Sequence, residues 1–564
     1  MTLYRSLLSR GYFPKELPPA FSTLAFSEYA ISPNGRKTIS DYQPLDNFTE
    51  CSTYRLARHG MRQRELRVPH PASFSKLAKL IAANFKRLIK LSKASRFTGS
   101  EPVPGKDRAL EPLLKPWDLP VSRANTRAGC TFLLKADISE FYPSLYTHAV
   151  GWAVDPKLRL RKNWRKATML GKKIDQALMD WDGKLSQGLP IGNDLSFLLA
   201  EIVLAQVDSG LKPQKGRAFR WFDDYEFAFD NRDSAEVMLK KLTRELGKFR
   251  LRLNPKKTLI QQLPAITGEE WQDLIKDAAP SASSAPAAMV KYFDSAFRLR
   301  DQHPDAAVLA YALGTLFKIA CPKADVGRVA DSCISQVVLL EPGAAQKAFA
   351  LWAYWSFNGF ALNRKLITAT IERIIDQHQV TGLSNDVAWA LAFCLDYGLR
   401  LGRAASKTLS HCEDDFISIQ ALHLRRNNFL TTSFTDAHII KTLQNTDLDR
   451  EHWLLAYESV RHNFLTISRK AVKKNPLFAE MLANGITFYR WPIEKKELIL
   501  HFGGAPPSVA SNWDTYMAAS GLTKRHFPRD TSETTRGSTQ PVADQKIPTG
   551  VKRVKDLLFT VSGY

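Results

Sequence analysis

A short stretch of small residues and prolines, 276–288 (KDAAPSASSAPAA), divides the chain into two kinds of pattern. It has no apolar periodicity with which to bury a face, so it reads as a linker. Before it, runs of helical spacing alternate with short strand-like apolar runs. After it, from 289 to 522, the spacing is helical throughout, in segments such as 307–319, 344–355, 386–399 and 453–466. This division predicts an α+β unit followed by an all-α domain. No strict period links the helices, so a degenerate helical-repeat array is expected.

Within the first part, residues 1–50 are rich in prolines and aromatics (Tyr12, Phe13, Pro14, Pro18, Pro19, Phe21) and predict an extended arm with a little local structure. The α+β unit spans 51–275. It opens on a basic stretch with Arg55, Arg58, Arg62, Arg64 and Arg67. Leu77, Leu80, Ile81, Phe85, Leu88 and Ile89 then recur at helical spacing over 73–91. Glycines and prolines make 98–121 a loop. TFLLKA, 131–136, is a buried strand, and Asn193 or Asp194 caps an apolar helix running to about residue 207. Two short aromatic strands, 218–222 and 225–229, flank Asp223-Asp224 as a hairpin. Asp233 is the expected cap of a helix that lines up Ala235, Met238, Leu239, Leu242, Leu246 and Phe249. The polar segment 523–564 reads as a flexible tail.

Composition narrows the function. A chain of 564 residues exceeds one ordinary core, and about 150 residues per domain suggests two to four units. No apolar run approaches the roughly 18 residues of a membrane span, and the opening lacks a signal-peptide pattern, so a cytoplasmic protein without membrane contact is expected. The six cysteines form no CxxC pair, which argues against a zinc module and a disulfide framework. The formal net charge of +23 favours a polyanionic partner, because each neutralised phosphate releases counterions.

The chemistry-bearing residues lie before the linker. Asp137 ends a hydrophobic strand in KADISEFYPSLY, where a carboxylate can meet a metal at the strand's open end or cap the next helix. Asp223 and Asp224 sit side by side between aromatic residues in RWFDDYEFAF, with Arg220 as the nearest base in sequence. Like charges on a tight turn repel, and a cation would relieve them. An exposed Asx turn is the alternative. Together, one acid from a first strand and two from a later hairpin can hold a metal pair about 3.5–4 Å apart, suited to phosphoryl transfer. Between them, SQGLPIGNDLS offers glycines and a helix start for close approach of a ligand to the backbone. Lys256 and Lys257 follow in LRLNPKKT, either as phosphate contacts or as a solvated turn.

In order and spacing these segments resemble the palm motifs of reverse transcriptases: ADISEFYPSLY motif A, SQGLPIGNDLSFLLAEI motif B, WFDDYEF motif C and LRLNPKKT motif D. The resemblance covers about 120–260 and implies fingers and a ferredoxin-like palm. It implies that Asp137, Asp223 and Asp224 bind two Mg2+ ions (Mn2+ as a substitute), with the Ile138 carbonyl on the second. Tyr142 then stands at the sugar gate beside Phe141. Gln187 and Gly188 line the incoming dNTP, and Lys257 approaches its triphosphate. Arg108, Arg123 and Arg127 are the candidate fingers residues. YPSLYTHAVGWAV, with His148 and Trp152, GYFPKELPPAF and WLLAYESV resemble the bacterial abortive-infection and defence-associated reverse transcriptases of AbiK type. That branch implies anti-phage DNA synthesis, protein-primed without a template or copied from a structured RNA, by a homo-oligomer that binds RNA or single-stranded DNA. A mobile-element enzyme and an inactive RNA-binding scaffold are the rival readings. Two departures stand out. Motif C carries Phe222 where a smaller residue is usual, and Val380-Thr381-Gly382 echoes a retron motif far outside the palm.

Overall fold

The computed structural model describes residues 2–58, 62–160, 168–214, 216–444 and 446–493. The described residues form a mixed, mainly helical molecule with three small sheets. The first sheet is a hairpin of β1 (Ser52–Arg58) and β2 (Arg62–Val68), and the second pairs β3 (Pro102–Pro104) with β4 (Leu110–Pro112). The third holds β5 (Phe132–Asp137), β6 (Ala218–Trp221), β7 (Asp224–Phe229) and β8 (Leu259–Gln262), all antiparallel, in the order β6-β7-β5-β8. The helix Asp194–Leu211 lies between β5 and β6 in sequence, and Arg232–Gly247 lies between β7 and β8. The run is therefore β-α-β-β-α-β, with the hairpin strand β7 beside the first strand β5.

Strand alternation gives this sheet two unlike faces. Leu134, Ala136, Tyr225 and Phe227 are buried on one. The other carries Lys135 opposite Glu226 and Asp137 opposite Asp224. The helix Leu119–Arg127 supplies the bases for that polar face: Arg127 grips Glu226 through Nε and Nη2 at 2.7–3.0 Å, and Arg123 Nε lies 3.1 Å from the same carboxylate.

Several expectations need correcting. Residues 1–50 are not an extended arm. They form the helices Leu3–Arg10, Leu24–Ile31 and Pro33–Asp41, and their rings are core: Tyr12 stacks on Phe74 at 4.0 Å, and Phe13 on Phe488 at 5.7 Å. The 73–91 periodicity belongs to two helices, Pro71–Ala83 and Phe85–Ser92, broken where the Asn84 side chain donates to the Leu80 carbonyl. The 98–121 segment contains β3 and β4 rather than loop alone. Asn231, not Asp233, caps Arg232–Gly247, accepting the Ser234 N–H at 2.9 Å, and Asp233 sits in the first turn. Asn193 caps Asp194–Leu211 in the same way.

Residues 276–288 are only partly non-helical, because Glu270–Ala278 and Pro286–Gln302 enter the stretch from both ends. Beyond them the described chain is helical to Pro476–Ala483. Many of these helices pack on the next but one: Pro286–Gln302 on Ala324–Leu340, that on Arg364–Thr381, and in a second row Ala345–Phe357 on Ser384–Tyr397 on Asp415–Arg426 on Trp453–Arg461. This two-row stack explains the helices buried nearly all round, such as Ala345–Phe357 with Trp352 and Trp355 fully buried. The two halves share one core. Ser52 Oγ donates to Asp415 at 2.7 Å, Tyr54 Oη to Asn385 at 3.0 Å, and Trp389 Nε1 to the Glu16 carbonyl at 2.8 Å. Among the described residues no helix is long and apolar enough to cross a membrane. Residues 494–564, including the expected tail, lie outside the described residues.

Candidate active site

Asp137 is the last residue of β5, and its partner across the sheet is Asp224, the first residue of β7. The hairpin turn is Phe222-Asp223, so β7 begins one residue earlier than the aromatic pattern implied and Asp224 belongs to the ladder opposite Trp221. All three acids thus gather at one end of the polar face. Asp137 is 5% exposed. Burial first, then the charges of Asp223 and Asp137, push the Asp224 carboxyl up to about 7, against the pull of Lys257 and Arg123. This is the repulsion expected of carboxylates crowded without enough positive charge.

The positive charge present comes from the turn after Arg232–Gly247. Lys257 Nζ donates to Asp137 Oδ2 at 2.9 Å, Asn254 Nδ2 to Oδ1 at 3.1 Å, and the Asn254 N–H to the Asp137 carbonyl at 2.7 Å. Burial opposes the charge on Lys257, but Asp137, Asp224 and Asp223 raise its pKa. Its stem is largely exposed, so the ammonium can leave Asp137 at little cost in packing. Ile138, fully buried, pairs with Leu253 and fixes the strand end against this turn. Lys256 is exposed and makes no such contact with the acids.

The segment after β5 and the glycine loop before Asp194–Leu211 pair with each other. The Leu189 N–H donates to the Tyr142 carbonyl at 3.0 Å, the Gly188 N–H to Leu145 at 2.8 Å, and the Thr147 N–H to Ser186 at 2.9 Å. Tyr142, Gln187 and Gly188 are thereby brought to one edge of the site. Gly188 has φ +94, a backbone state that a side chain would strain. Tyr142 packs edge-on against the buried Phe141 at 5.2 Å. Burial, with the charges of Glu201 and Asp223, holds its phenol well above the usual range. His148 packs edge-on against Tyr146 at 4.7 Å, and its Nδ1 lies 2.7 Å from Asp175.

Three bases read from the sequence prove to be committed elsewhere. Arg108 holds Asp194, through Nε at 2.9 Å and Nη2 at 2.6 Å, together with the carbonyls of Phe13 and Gly192. Arg127 holds Glu226. Arg220, the nearest base to the acid pair in sequence, lies opposite Tyr225 on the buried face and points away from the acids. It binds Glu201 at 3.0 and 3.1 Å and Asp208 at 2.8 Å. Of the candidate fingers residues, Arg123 acts electrostatically on Asp224. Sequence reasoning missed Asn254 and the Glu201–Arg220–Asp208 cluster. The signal was there: Glu201 and Asp208 stand seven apart, on one face of an otherwise apolar helix, and buried acids need a base.

Among the described residues no three His, Cys, Asp or Glu side chains converge as a ready-made metal cage. The donors nonetheless suit a hard divalent cation, which needs one or two carboxylates and completes its shell with water and substrate phosphates. The raised Asp224 carboxyl marks where such a charge would be stabilising.

No family model matches the sequence, and no curated protein matches it. Among solved structures the chain is similar to apo telomerase from Candida tropicalis, at 12% identity and a TM-score of 0.31, over 71% of this chain and 74% of that one. It is also similar to telomerase from Candida tropicalis in complex with the TWJ fragment of telomeric RNA, at 12% identity and a TM-score of 0.29, over 67% of this chain and 65% of that one. For telomerase from Candida albicans in complex with the same fragment, the values are 10% and 0.28, over 65% of this chain and 69% of that one.

Proposed function

We propose that the protein is a nucleotidyltransferase of the reverse-transcriptase type, joining deoxynucleotides at the end of the β5–β7 pair. The observation that carries this reading is the register Asp137↔Asp224, with Asp223 on the adjoining turn and the 142–147 and 186–189 segments paired beside it. A nucleotide bound along that edge would meet acids at its phosphates and an aromatic ring at its sugar.

Mg2+ ions held by Asp137, Asp223 and Asp224 with the Ile138 carbonyl would neutralise charge at the attacking hydroxyl and the leaving pyrophosphate. Lys257, tethered to Asp137 by one ion pair on an exposed stem, exchanges that partner for a phosphate oxygen when a nucleotide arrives. Tyr142, its carbonyl fixed by Leu189, presents a ring of set position to the sugar and excludes a ribose 2′-hydroxyl. Gln187, exposed and bridged to Tyr146, faces the incoming nucleotide, while Gly188 keeps the backbone close to it.

The anti-phage role, protein-primed or RNA-copied, rests on the resemblance of the segments around Tyr12, Tyr142 and Trp453 to the AbiK-type enzymes. A cytoplasmic homo-oligomer binding RNA or single-stranded DNA belongs to the same reading, and sedimentation tests the assembly. The net charge of +23 supports a nucleic-acid partner.

The deciding experiment incubates purified protein with each labelled dNTP and Mg2+ or Mn2+, with and without ribonuclease treatment. Incorporation by the wild type and none by Asp223→Ala supports the reading. Ribonuclease sensitivity then separates a copied RNA from untemplated synthesis. No incorporation under any of these conditions, alongside tight RNA binding, would favour the scaffold reading.

A further inference from the structure

The residue before Asp223 is unusual. Phe222 has φ +51, a left-handed backbone that bulky side chains rarely adopt, on a turn only two residues long. Something must hold it, and the hydrogen bonds show what does. The Phe222 N–H donates to Ser100 Oγ at 2.9 Å, and its carbonyl accepts from Arg220 Nη1 at 2.8 Å. Both polar groups of this one residue are therefore clamped from below the sheet.

The clamp is anchored deeply. Ser100 and Arg220 are fully buried, and Glu201 is 2% exposed. Ser100 Oγ donates to Glu201 Oε1 at 2.9 Å, so one carboxylate holds both arms. Asp208 takes Arg220 Nε at 2.8 Å and also the Tyr225 hydroxyl at 2.9 Å. The cluster thus grips the chain on both sides of Asp223-Asp224. Residues 97–100 reach it by running along the outer edge of β6: the Arg220 N–H donates to the Phe97 carbonyl at 2.9 Å and the Gly99 N–H to the Arg220 carbonyl at 2.8 Å. Gly99 has no room for a side chain there, since a Cβ would stand 2.8 Å from Leu114 and 3.0 Å from Phe219.

We propose that Ser100, Glu201, Arg220 and Asp208 are positioning residues that set the place of Asp223 by holding Phe222 in its left-handed state, a role that rests on the nucleotidyl-transfer reading above. They act through the main chain of residue 222 and the hydroxyl of Tyr225, and the charge of Glu201 is also felt by the Tyr142 phenol. Misplacing a reacting group by about an ångström costs on the order of a hundredfold in rate.

The test compares Ser100→Ala and Glu201→Gln, two substitutions of nearly unchanged shape, with the wild type and Asp223→Ala. Full-length protein is used for single-nucleotide incorporation and for hydrogen exchange of the peptide covering 218–229. The expected result is a ten- to hundredfold fall in kcat with KM for dNTP within about threefold, and faster exchange in that peptide. Phe222→Asn, a residue that tolerates the left-handed state, should lessen the kcat penalty of Ser100→Ala in the double variant. If Ser100→Ala and Glu201→Gln keep wild-type kcat while Asp223→Ala is inactive, the positioning role is wrong and the transferase reading stands. If exchange rises and kcat falls only with a general loss of the folded state, seen as a lowered melt and faster exchange in distant peptides such as 345–357, the cluster is structural and the proposal is overturned. A wild type without incorporation removes the transferase reading and this role with it.

Discussion

His452 offers a test of how the two halves of the chain are joined. It precedes the helix Trp453–Arg461, and its Nδ1 lies 2.7 Å from Asp415, the carboxylate that also accepts Ser52 Oγ at 2.7 Å. Burial works against charging this imidazole, but the hydrogen bond and charge of Asp415, with Glu451 and Asp414 behind it, raise its pKa from 6.5 to about 9. At about 1.4 kcal/mol per tenfold change in proton affinity, that displacement corresponds to about 3 kcal/mol of stability when His452 is charged. The folded pKa lies above the unfolded one, so the contribution is complete below about pH 6.5, declines as pH rises, and is gone once pH passes about 9. His452→Gln removes the charge and keeps a hydrogen-bonding side chain. Melting temperatures of wild type and variant, taken in parallel from pH 6 to 9.5, should differ by a few degrees at the acid end and converge at the alkaline end. Taking the difference cancels other groups that titrate in this window, such as Glu341, pushed up to about 7, and Lys347, pulled down to about 8, both led by burial. A gap that stays constant across the range would refute the linkage and leave His452 as a packing residue.

Four further outcomes are expected. Asp137→Ala and Asp223→Ala should each abolish dNTP incorporation with little change in thermal unfolding, and the double variant should be no worse than either, since the acids act as a unit. Tyr142→Ala should admit rNTPs, lowering dNTP/rNTP discrimination by roughly tenfold or more while dNTP use falls modestly; unchanged discrimination would remove the sugar-gate role. Binding of single-stranded nucleic acid should weaken by on the order of a hundredfold or more between about 50 and 200 mM salt, and a flat salt response would argue against phosphate contacts. A chain ending near residue 275 should be insoluble or unfolded, because it strips the partners from Phe13, Phe21 and Tyr54; a folded, soluble fragment would show that the shared core is dispensable.

The elements legible in the sequence were those whose signal is local. The strand ending at Asp137 and the hairpin around Asp223 showed as short apolar runs with polar breaks. The helix after Asn193 showed by its cap, and the helical half by its spacing. What escaped depends on distant partners. The proline-rich opening looked extended because its aromatic residues find their neighbours only at Phe74, Phe416 and Phe488. The break at Asn84 and the choice of Asn231 over Asp233 turn on single side-chain bonds that periodicity cannot rank. Arg220 looked like the natural counter-charge for the acids because sequence distance hides strand alternation. One residue's shift in the hairpin decides which face each side chain takes.

The contact between residues 21–22 and 488–489 has a consequence for biosynthesis. Phe21 bridges to Tyr489 through the backbone, and the Ser22 N–H donates to the Phe488 carbonyl at 2.9 Å. Residues 21 and 22 are therefore completed by others that leave the ribosome much later. At about 5–20 residues per second, the opening helices wait tens of seconds or more for those partners, with Phe13, Phe21 and Phe26 uncovered meanwhile. Such a chain is committed to folding after synthesis rather than domain by domain. Its need for chaperones should follow from where these distant segments meet, not from the sheet that carries the acids.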